Sequence, residues 1–298
     1  MKSNKLVSII MTCHNGEAFL DEAVRSIINQ TYLNWELIFY DNYSNDKSRE
    51  ILSSFKEKRI KYFKTDELVN LGTVRNLAYS KCNGSFICFL DVDDYWSEEK
   101  LEKQIRKFEL NNKTDVVYSN FFRIEKDEVN KNKMDFYKGF LLKEIMRSYF
   151  EGSPLTPWLT LMIKKSSIDQ LGHSFDIKTH ISSDFDLIIR LAEFSNFDYV
   201  EECLAYYRLH ENNESKNNNK EVDDLVYIIW KHQKNKILNK LFFYRYFALK
   251  IYFKYLIFKK FQSIDFKEIY IVRNFTTMII YYLIKIIPLN LLKLFIKI

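Results

Sequence analysis

Four short apolar runs alternate with helix-like segments over the first 90 residues, and this alternation constrains the fold more than any other feature. The runs, each read as a strand, are Leu6–Met11, Trp35–Tyr40, Ile60–Lys64 and Phe86–Leu90. The intervening helices are predicted around Leu20, Ala23, Val24, Ile27 and Ile28, and over Lys47–Phe55 and Asn70–Ser80. Because strands that alternate with helices are joined by crossover connections, the pattern predicts an α/β domain with a mostly parallel sheet.

Polar side chains follow three of these strands at the point where each strand ends. They are Thr12 and His14 after the first, Asp41 and Asn42 after the second, and Asp91, Asp93 and Asp94 after the fourth. In open α/β sheets, ligands bind outside the carboxyl ends of the strands. The sequence therefore predicts a ligand site at this edge of the sheet.

The third cluster packs three carboxylates into four residues, Asp91 to Asp94. Such groups repel one another unless a cation or strong hydrogen-bond donors lie between them. Oxygen-rich sites suit Mg²⁺ or Mn²⁺, which can bridge the phosphates of a substrate. The competing interpretation is a solvated acidic turn followed by a helix that Ser97, three residues before Lys100, would cap.

Two further features narrow the choice of ligand. The first strand is followed by Thr12–Gly16 and not by a glycine-rich loop, which removes the dinucleotide and P-loop fingerprints. Arg75, on the third predicted helix, offers a fork-shaped donor for a base carbonyl or a phosphate. A salt bridge on the helix surface is the alternative reading of Arg75.

The second half carries one further carboxylate of interest, Asp184. The segment 181–191 predicts a helix capped by Ser182 or Ser183, with a buried stripe formed by Leu187, Ile188 and Leu191. Asp184 lies three and four residues before the first two, so it shares their face and points into the protein. The alternative is a second capping carboxylate that interacts with the helix dipole. Elsewhere in this half we predict a strand at Asp115–Ser119 and an exposed loop at 125–133, and Trp158–Ile163 is another apolar run.

Composition separates an acidic body from a basic tail. Residues 1–224 hold 31 basic and 37 acidic residues, whereas residues 225–298 hold 14 and 2. The four cysteines form no CxxC pair, so neither a zinc site nor a redox motif is indicated. Met1–Lys5 is followed at once by a strand-like run and not by the apolar segment of a signal peptide. Both observations predict a reducing, cytoplasmic location. The cysteines are Cys13, Cys82, Cys88 and Cys203.

The tail, 222–298, follows a polar segment at 212–221 that predicts a linker. The tail is rich in Ile, Leu, Phe, Tyr and Lys and lacks turn signals, a composition that predicts two to four helices with a break near Pro288. Its longest uncharged stretch, Asn274–Ile284, is far shorter than the ~20 residues that span a bilayer. Basic amphipathic helices on an anionic membrane surface fit the composition, and a helical subdomain packed on the body is the alternative. Nucleic acid is not favoured, because no nucleic-acid motif is present.

Several short motifs occur together in one order. They are Val7–Ile10 with Asn15, Ser26, Gln30–Tyr32, Trp35–Glu36, Asp41, Ser44, Asp46, Leu71–Gly72, Arg75–Asn76, Gly84 and Leu90–Asp94. Over roughly residues 6–210 the chain resembles family 2 glycosyltransferases. The resemblance implies a GT-A fold, in which one domain combines a nucleotide-binding half and an acceptor-binding half. It also implies inverting transfer from a nucleotide-activated sugar.

The resemblance implies roles for the residues of the nucleotide-binding half. Thr12 and His14 would line the base pocket, and the base would be fixed by Asp41, Asn42 and Arg75. Asp91 would hold the ribose side, and Asp93, supported by Asp94, would hold the divalent metal, Mn²⁺ or Mg²⁺. The family often has Pro-Thr-Tyr-Asn where this chain has Thr12–Asn15, and Asp-Asp where it has Asp41–Asn42.

For the acceptor half, the resemblance implies that Asp184 is the general base. Family members carry the base as the Asp of a Glu-Asp pair, six residues before an Arg; Arg190 is present here, and Ser183 replaces the Glu. His210 is expected to reach the metal or the diphosphate, and Arg208 to support that loop.

Together these observations predict a metal-dependent inverting glycosyltransferase at the cytoplasmic membrane face. Its donor would be a nucleotide sugar, with a UDP-sugar favoured, and its acceptor a lipid-linked or cell-surface glycan. One rival is a nucleotidyltransferase that makes sugar nucleotides, which usually needs a glycine-rich phosphate loop. The other is a non-catalytic scaffold that binds membranes.

Overall fold

A computed structural model describes residues 5–126, 128–132, 135–150, 155–211, 213 and 218–232. The chain divides into two compact units, Met1–Lys216 and Asn217–Ile298. Of the second unit, the described part is the helix α8, Asn218–His232, which begins within the predicted linker. The remainder of the predicted basic extension, residues 233–298, lies outside the described residues. None of the described helices has the length and hydropathy that crossing a membrane requires.

The first unit contains nine strands and seven α-helices among its described residues. The strands are β1 Val7–Cys13, β2 Trp35–Asp41, β3 Ile60–Lys64, β4 Phe86–Phe89, β5 Tyr95–Trp96, β6 Val116–Glu125, β7 Glu128–Lys131, β8 Met162–Lys164 and β9 Phe197–Leu209. The helices are α1 Leu20–Ile28, α2 Ser48–Ser54, α3 Leu71–Tyr79, α4 Lys100–Leu110, α5 Leu142–Phe150, α6 Lys165–Asp169 and α7 Ser183–Ala192. The four strands and three helices predicted for the first 90 residues are confirmed.

All nine strands join one mixed sheet in the order β3-β2-β1-β4-β8-β6-β9-β5, with β7 paired to β6. The first four are parallel, and Val7 lies opposite both Trp35 and Phe86. Strand β8 runs antiparallel to both β4 and β6, and β6 pairs in parallel with β9 across an irregularity near Asn120. This is the curled mixed sheet with flanking helices that the sequence predicts.

The core follows from the apolar runs. Every residue of β2 is buried, and β1 is buried except at Thr12. Helix α1 adds Leu20, Ala23, Val24 and Ile27 to the same core. Each fully buried aliphatic or aromatic side chain of this kind contributes roughly 1.5–3 kcal/mol relative to an exposed one. The strands that end at the predicted site are therefore firmly anchored.

A buried carboxylate joins the start of β1, β2 and β4. Glu36 accepts hydrogen bonds from the Ser8 hydroxyl at 2.6 Å and from the backbone N–H of Asn83 at 2.7 Å, and Lys61 lies 2.6 Å away. Gly84 passes so close that a Cβ atom there would lie 2.5 Å from the backbone nitrogen of Ser8. This contact fixes β4, and with it the loop that carries Asp91 to Asp94.

The prediction that Ser97 caps α4 is wrong. Glu99 occupies the N-cap position, and no side chain caps the helix. The backbone N–H of Ser97 is instead bonded to the carbonyl of Leu204 at 3.0 Å, which extends the pairing of β5 with β9.

The sequence did not indicate that the first residue of α4, Lys100, would be buried. Lys100 is fully buried, donates to Gln104 at 2.8 Å and lies 4.0 Å from the centre of the Trp96 ring. Burial lowers its pKa to about 8.

One prediction for the middle of the chain needs correction. Residues 125–133 were expected to form an exposed loop, but β6 and β7 form an antiparallel ladder there, from Glu125 opposite Glu128 to Phe122 opposite Lys131. The prediction that this segment is exposed is confirmed for β7, because all four of its residues are exposed. The apolar run at 158–163 begins as a short 3₁₀ helix, Trp158–Thr160, and becomes strand only at Met162.

Candidate active site

The three polar clusters predicted at the strand ends lie side by side. Strands β2, β1 and β4 are adjacent and parallel, and Cys13, the last residue of β1, lies opposite Asp41. The loop Asp91–Asp94 follows β4 directly. The predicted convergence of these loops at one edge of the sheet is therefore confirmed.

The loops after β1 and β2 are joined to each other by hydrogen bonds. His14 donates from Nδ1 to the carbonyl of Asn42 at 2.9 Å. The backbone N–H of Asn15 donates to the Ser44 hydroxyl at 3.0 Å, and the Asn15 side chain accepts from the backbone of Asn45 at 2.9 Å. We call this pair of loops the nucleotide corner, defined by residues 12–16 and 41–46. Hydrogen bonds between the two loops therefore fix the geometry of the nucleotide corner.

Asp41 and Asn42, both buried, are bonded within the nucleotide corner. The Asp41 carboxylate accepts from the backbone N–H of Ser44 at 2.8 Å and from the Tyr62 hydroxyl at 2.9 Å. Burial and this carboxylate raise the pKa of Tyr62 to about 12. The Asn42 amide bonds to both the N–H and the carbonyl of Val69, at 3.0 and 2.8 Å. Asn42 thus holds the segment before α3 in place.

Arg75 is buried and connects the β4 loop to α7. Its Nη1 donates to the Ser183 hydroxyl at 3.0 Å, and its Nη2 lies 3.7 Å from the Asp91 carboxylate. The guanidinium also lies 4.8 Å from the centre of the Trp158 ring. Because its side chain is only 5 % exposed, the surface salt-bridge reading of Arg75 is wrong.

Asp184, at the start of α7, belongs to the same electrostatic environment as the β4 loop. The pKa of Asp91 rises to about 6: partial loss of solvation among the surrounding residues is the main cause, the charges of Asp93 and Asp184 add to it, and Arg75 opposes it. Asp91 keeps 41 % of its side-chain surface exposed, so a ligand can reach it. The three carboxylates of Asp91, Asp93 and Asp184, together with Asp94 and His210, form what we call the reaction corner.

Helix α3 holds the segment that leads into α7. Asn76 bonds to both the N–H and the carbonyl of Phe175, at 2.9 and 2.8 Å, and Asn70 donates to the carbonyl of Ile177 at 2.8 Å. A Cβ atom at Gly72 would lie 2.5 Å from the carbonyl oxygen of Asp176, so only glycine allows this approach. The position of Asp184 is therefore tied to the helix that carries Arg75.

A second carboxylate on α7, Asp186, was missed in the sequence. It is fully buried and pairs with Arg190 at 2.8 Å. Arg190 also donates to the backbone carbonyls of His173 and Ser174. The spacing of four residues between Asp186 and Arg190 was the available signal. This pair therefore also holds the segment before α7, at His173 and Ser174.

The end of β9 returns to the β4 loop and places His210 beside Asp93. The Nε2 atom of His210 lies 2.9 Å from the Asp93 carboxylate, across 117 residues of sequence. Asn213 donates to the same carboxylate oxygen at 3.1 Å and accepts from the backbone N–H of His210 at 2.6 Å. Asn213 was not foreseen, because it lies in the polar stretch read as a linker.

Arg208 and Asp94 support this return. Arg208 donates to the backbone carbonyl of Asp93 at 2.9 Å, pairs with Glu22, and lies over the Phe19 ring at 4.7 Å. The buried Asp94 carboxylate accepts from the backbone N–H of Arg208 at 2.9 Å. Burial, followed by the charges of Asp93 and Asp91, raises the pKa of Asp94 well above its usual range. The structure thus brings together every residue predicted for the reaction corner.

Comparison with known proteins identifies the family. The family model described as glycosyl transferase family 2 matches residues 8–172. The chain is 32 % identical to an uncharacterized glycosyltransferase of Methanocaldococcus jannaschii over 259 residues, which cover 83 % of this chain and 87 % of the relative. The chain belongs to glycosyl transferase family 2. The expected family and enzyme class are thereby confirmed, and the nucleotidyltransferase and scaffold hypotheses are not.

Two further similarities are informative. The glycosyltransferase is 37 % identical over 124 residues to the UDP-Glc:alpha-D-GlcNAc-diphosphoundecaprenol beta-1,3-glucosyltransferase of Escherichia coli, covering 42 % of this chain and about half, 49 %, of that enzyme. Its fold is similar to TarS of S. aureus in complex with UDP-GlcNAc, with a TM-score of 0.63 and 18 % identity over 84 % of this chain and 71 % of the other. The latter shows the shared GT-A fold.

Proposed function

We propose that this glycosyltransferase moves a sugar from a nucleotide sugar, most simply a UDP-sugar, to a hydroxyl group of a lipid-linked or cell-surface glycan, with inversion at the anomeric carbon. One observation carries the proposal. Asp184 lies on α7, in the second half of the chain, yet Arg75 connects its position to the β4 loop. Arg75 lies 3.7 Å from the Asp91 carboxylate and donates to the hydroxyl of Ser183, the residue before Asp184. The charge of Asp184 also raises the pKa of Asp91, so this carboxylate lies close to the loop that would bind the diphosphate.

Asp184 is the general base in this proposal. It accepts the proton of the acceptor hydroxyl while the hydroxyl oxygen forms a bond to the anomeric carbon. The bond from that carbon to the diphosphate oxygen breaks, and the nucleoside diphosphate leaves with the electron pair. Attack from the side opposite to the leaving group inverts the anomeric configuration. Asp186, buried and paired with Arg190, is not in a position to take this proton.

The reaction corner suits a divalent cation. Asp93 and His210 offer an oxygen and a nitrogen donor 2.9 Å apart, and Asn213 holds both. Within the described part of the chain no three His, Cys, Asp or Glu residues form a complete metal cluster, so the diphosphate would supply further ligands. Bound there, Mn²⁺ or Mg²⁺ would supply positive charge to the departing diphosphate. Arg208 holds the Asp93 backbone in place, and Asp94 in turn holds the backbone of Arg208.

The nucleotide corner is the proposed site of the base and ribose. Thr12 and His14 lie at its β1 side, Asp41 at its β2 side, and Asp91 faces it from the β4 loop. The Asp41 carboxylate retains lone pairs for a base N–H, whereas the Asn42 amide is engaged by Val69. Arg75 donates to Ser183 and forms an ion pair with Asp91 at 3.7 Å, and in this proposal it holds Asp91 toward the ribose. The E. coli relative named for a UDP-Glc donor and the TarS complex with UDP-GlcNAc support a uridine donor.

Donor hydrolysis and nucleotide binding test the proposal together. Purified protein is screened for stabilisation by UDP, GDP and ADP with Mn²⁺, and then for hydrolysis of the matching sugar nucleotides. We expect binding and turnover that disappear when EDTA is added, and Asp93→Ala should abolish both. Release of pyrophosphate from a nucleoside triphosphate, or turnover unaffected by EDTA, would contradict the proposal.

The acceptor and the location form a separate part of the proposal. We place the enzyme at the cytoplasmic face of a membrane, with the basic extension drawn to anionic lipid by about 1 kcal/mol per Lys or Arg near the surface. The name of the E. coli relative, which acts on a diphosphoundecaprenol-linked sugar, supports a lipid-linked acceptor. Flotation of the full chain with anionic vesicles, but not with neutral ones, and its loss at high salt would support this location. Equal recovery with both kinds of vesicle would exclude it.

A further inference from the structure

Tyr43 has an unusual backbone in the nucleotide corner. Its φ angle is +64°, in the left-handed region that glycine and asparagine adopt with little strain. For a bulky side chain this conformation is a clear outlier. Such strain persists where the surrounding structure holds it, and it concentrates at functional sites. Here Asp41 bonds to the backbone of Ser44 on one side, and His14 bonds to the carbonyl of Asn42 on the other.

Packing does not explain the aromatic ring at this position. The residue is 56 % exposed. Among the described residues, none forms a hydrogen bond, an ion pair or a ring contact with the Tyr43 side chain. A smaller residue that tolerates positive φ would therefore serve the loop as well or better. The ring is held outward by the loop and contributes little to the fold.

We infer that Tyr43 is a base-binding residue whose ring lies against the base of the nucleoside diphosphate. Every base has an apolar face that stacks on an aromatic ring, and this stacking contributes measurably to affinity. Tyr43 stands between Asn42 and Ser44, on the loop that carries Asp41. This inference rests on the proposed function, because it needs a nucleotide bound at the same corner.

The test compares two ligands and four variants. Affinity is measured calorimetrically for UDP and for inorganic pyrophosphate, each with Mn²⁺. Tyr43→Asn and Tyr43→Gly both remove the ring and both accept positive φ, and Tyr43→Phe keeps the ring. Tyr137→Asn is the matched control, because Tyr137 is also exposed, at 40 %, but lies on the segment before α5.

We expect Tyr43→Asn and Tyr43→Gly to bind UDP about tenfold more weakly and to bind pyrophosphate as the unmodified chain does. Tyr43→Phe and Tyr137→Asn should bind both ligands normally. The unfolding temperature of Tyr43→Gly should not fall, since the strain is removed. UDP affinity within twofold in Tyr43→Asn, or equal losses for UDP and pyrophosphate, would overturn the inference. If the unmodified chain binds no nucleoside diphosphate, the proposed function fails first, and the inference fails with it.

Discussion

The nucleotide corner and the reaction corner are built from the same sheet edge but use their polar groups differently. In the nucleotide corner, Asp41 and Asn42 are occupied by Tyr62, Ser44 and Val69. In the reaction corner, burial and mutual repulsion raise the pKa values of Asp91 and Asp94. One corner is complete without a ligand, whereas the other concentrates negative charge that a cation would relieve. Substitutions in the nucleotide corner should therefore mainly change the unfolding free energy and the KM for the donor. Substitutions in the reaction corner should mainly change kcat and metal affinity.

The largest difference is expected between the two carboxylates of α7. Asp184→Asn should lower kcat by about 10²–10⁴-fold, because the proton acceptor is lost, and should leave UDP affinity within about threefold. Asp186→Asn should instead destabilise the fold by about 3–5 kcal/mol, because Arg190 stays buried without its partner. Steady-state kinetics and chemical denaturation of both variants measure the contrast. An Asp184→Asn enzyme with near-normal kcat would remove Asp184 from the mechanism.

The next effect concerns Asn213, which acts on the metal site without carrying charge. Asn213→Ala should weaken Mn²⁺ binding roughly tenfold or more, as is typical when a group that orients metal ligands is removed. Mn²⁺ titration followed by electron paramagnetic resonance, in the presence of UDP, gives the affinity directly. Asn45→Ala, at an exposed position in the nucleotide corner, is the control and should leave Mn²⁺ affinity unchanged. Equal affinities in the two variants would mean that Asn213 only packs the end of β9.

Asn42→Ala should act mainly on stability. Both backbone groups of Val69 would lose their partner. A fully buried unsatisfied group costs about 1–3 kcal/mol, and the cost here is smaller because Val69 is only partly buried. We expect a lower unfolding free energy, a raised KM for the donor and a kcat that is nearly unchanged. A variant of normal stability with altered preference between UDP and GDP would show instead that Asn42 reads the base.

The smallest expected effect is a pH dependence of stability. The folded pKa of Asp91, about 6, lies above its ordinary value of 3.8, so the folded state binds the proton more tightly than the unfolded state. The contribution of Asp91 to stability therefore falls as pH rises from about 4 to 6 and stays low above that. Without metal or nucleotide, Asp91→Asn should be more stable than the unmodified chain at pH 7–8, with the difference disappearing near pH 4. Thermal unfolding across this range measures it, and a constant difference would contradict the assignment.

Local patterns in the sequence were sufficient for the first half of the fold. Period and length located β1 to β4 and the helices between them, and parallel topology then placed the polar residues after three strands at one edge of the sheet. The structure adds the register there, with Cys13 opposite Asp41. The same reasoning failed for β7, because a charged, exposed strand has no apolar alternation to mark it. It also failed for Ser97, whose backbone pairs with a strand more than 100 residues later in the chain.

The site was predictable only as far as its residues lie at strand ends or resemble a family motif. The pairing of Asp93 with His210 was expected from the resemblance alone, since no local pattern relates positions 117 residues apart. The sequence analysis missed the roles of Asn213, Asp186 and Lys100, because these roles depend on contacts with residues that become neighbours only in the folded chain. Burial of a polar side chain depends on tertiary packing, which the order of residues does not display.

Helix α3 is nine residues long and touches both partners in the proposed chemistry. Through Arg75 it contacts Asp91 and Ser183, and through Asn76 it grips the backbone of Phe175 ahead of Asp184. This one helix therefore sets the distance between the leaving group and the proton acceptor in the proposed reaction. Substitutions at surfaces that do not contact α3 should therefore leave the separation between the two reacting groups unchanged.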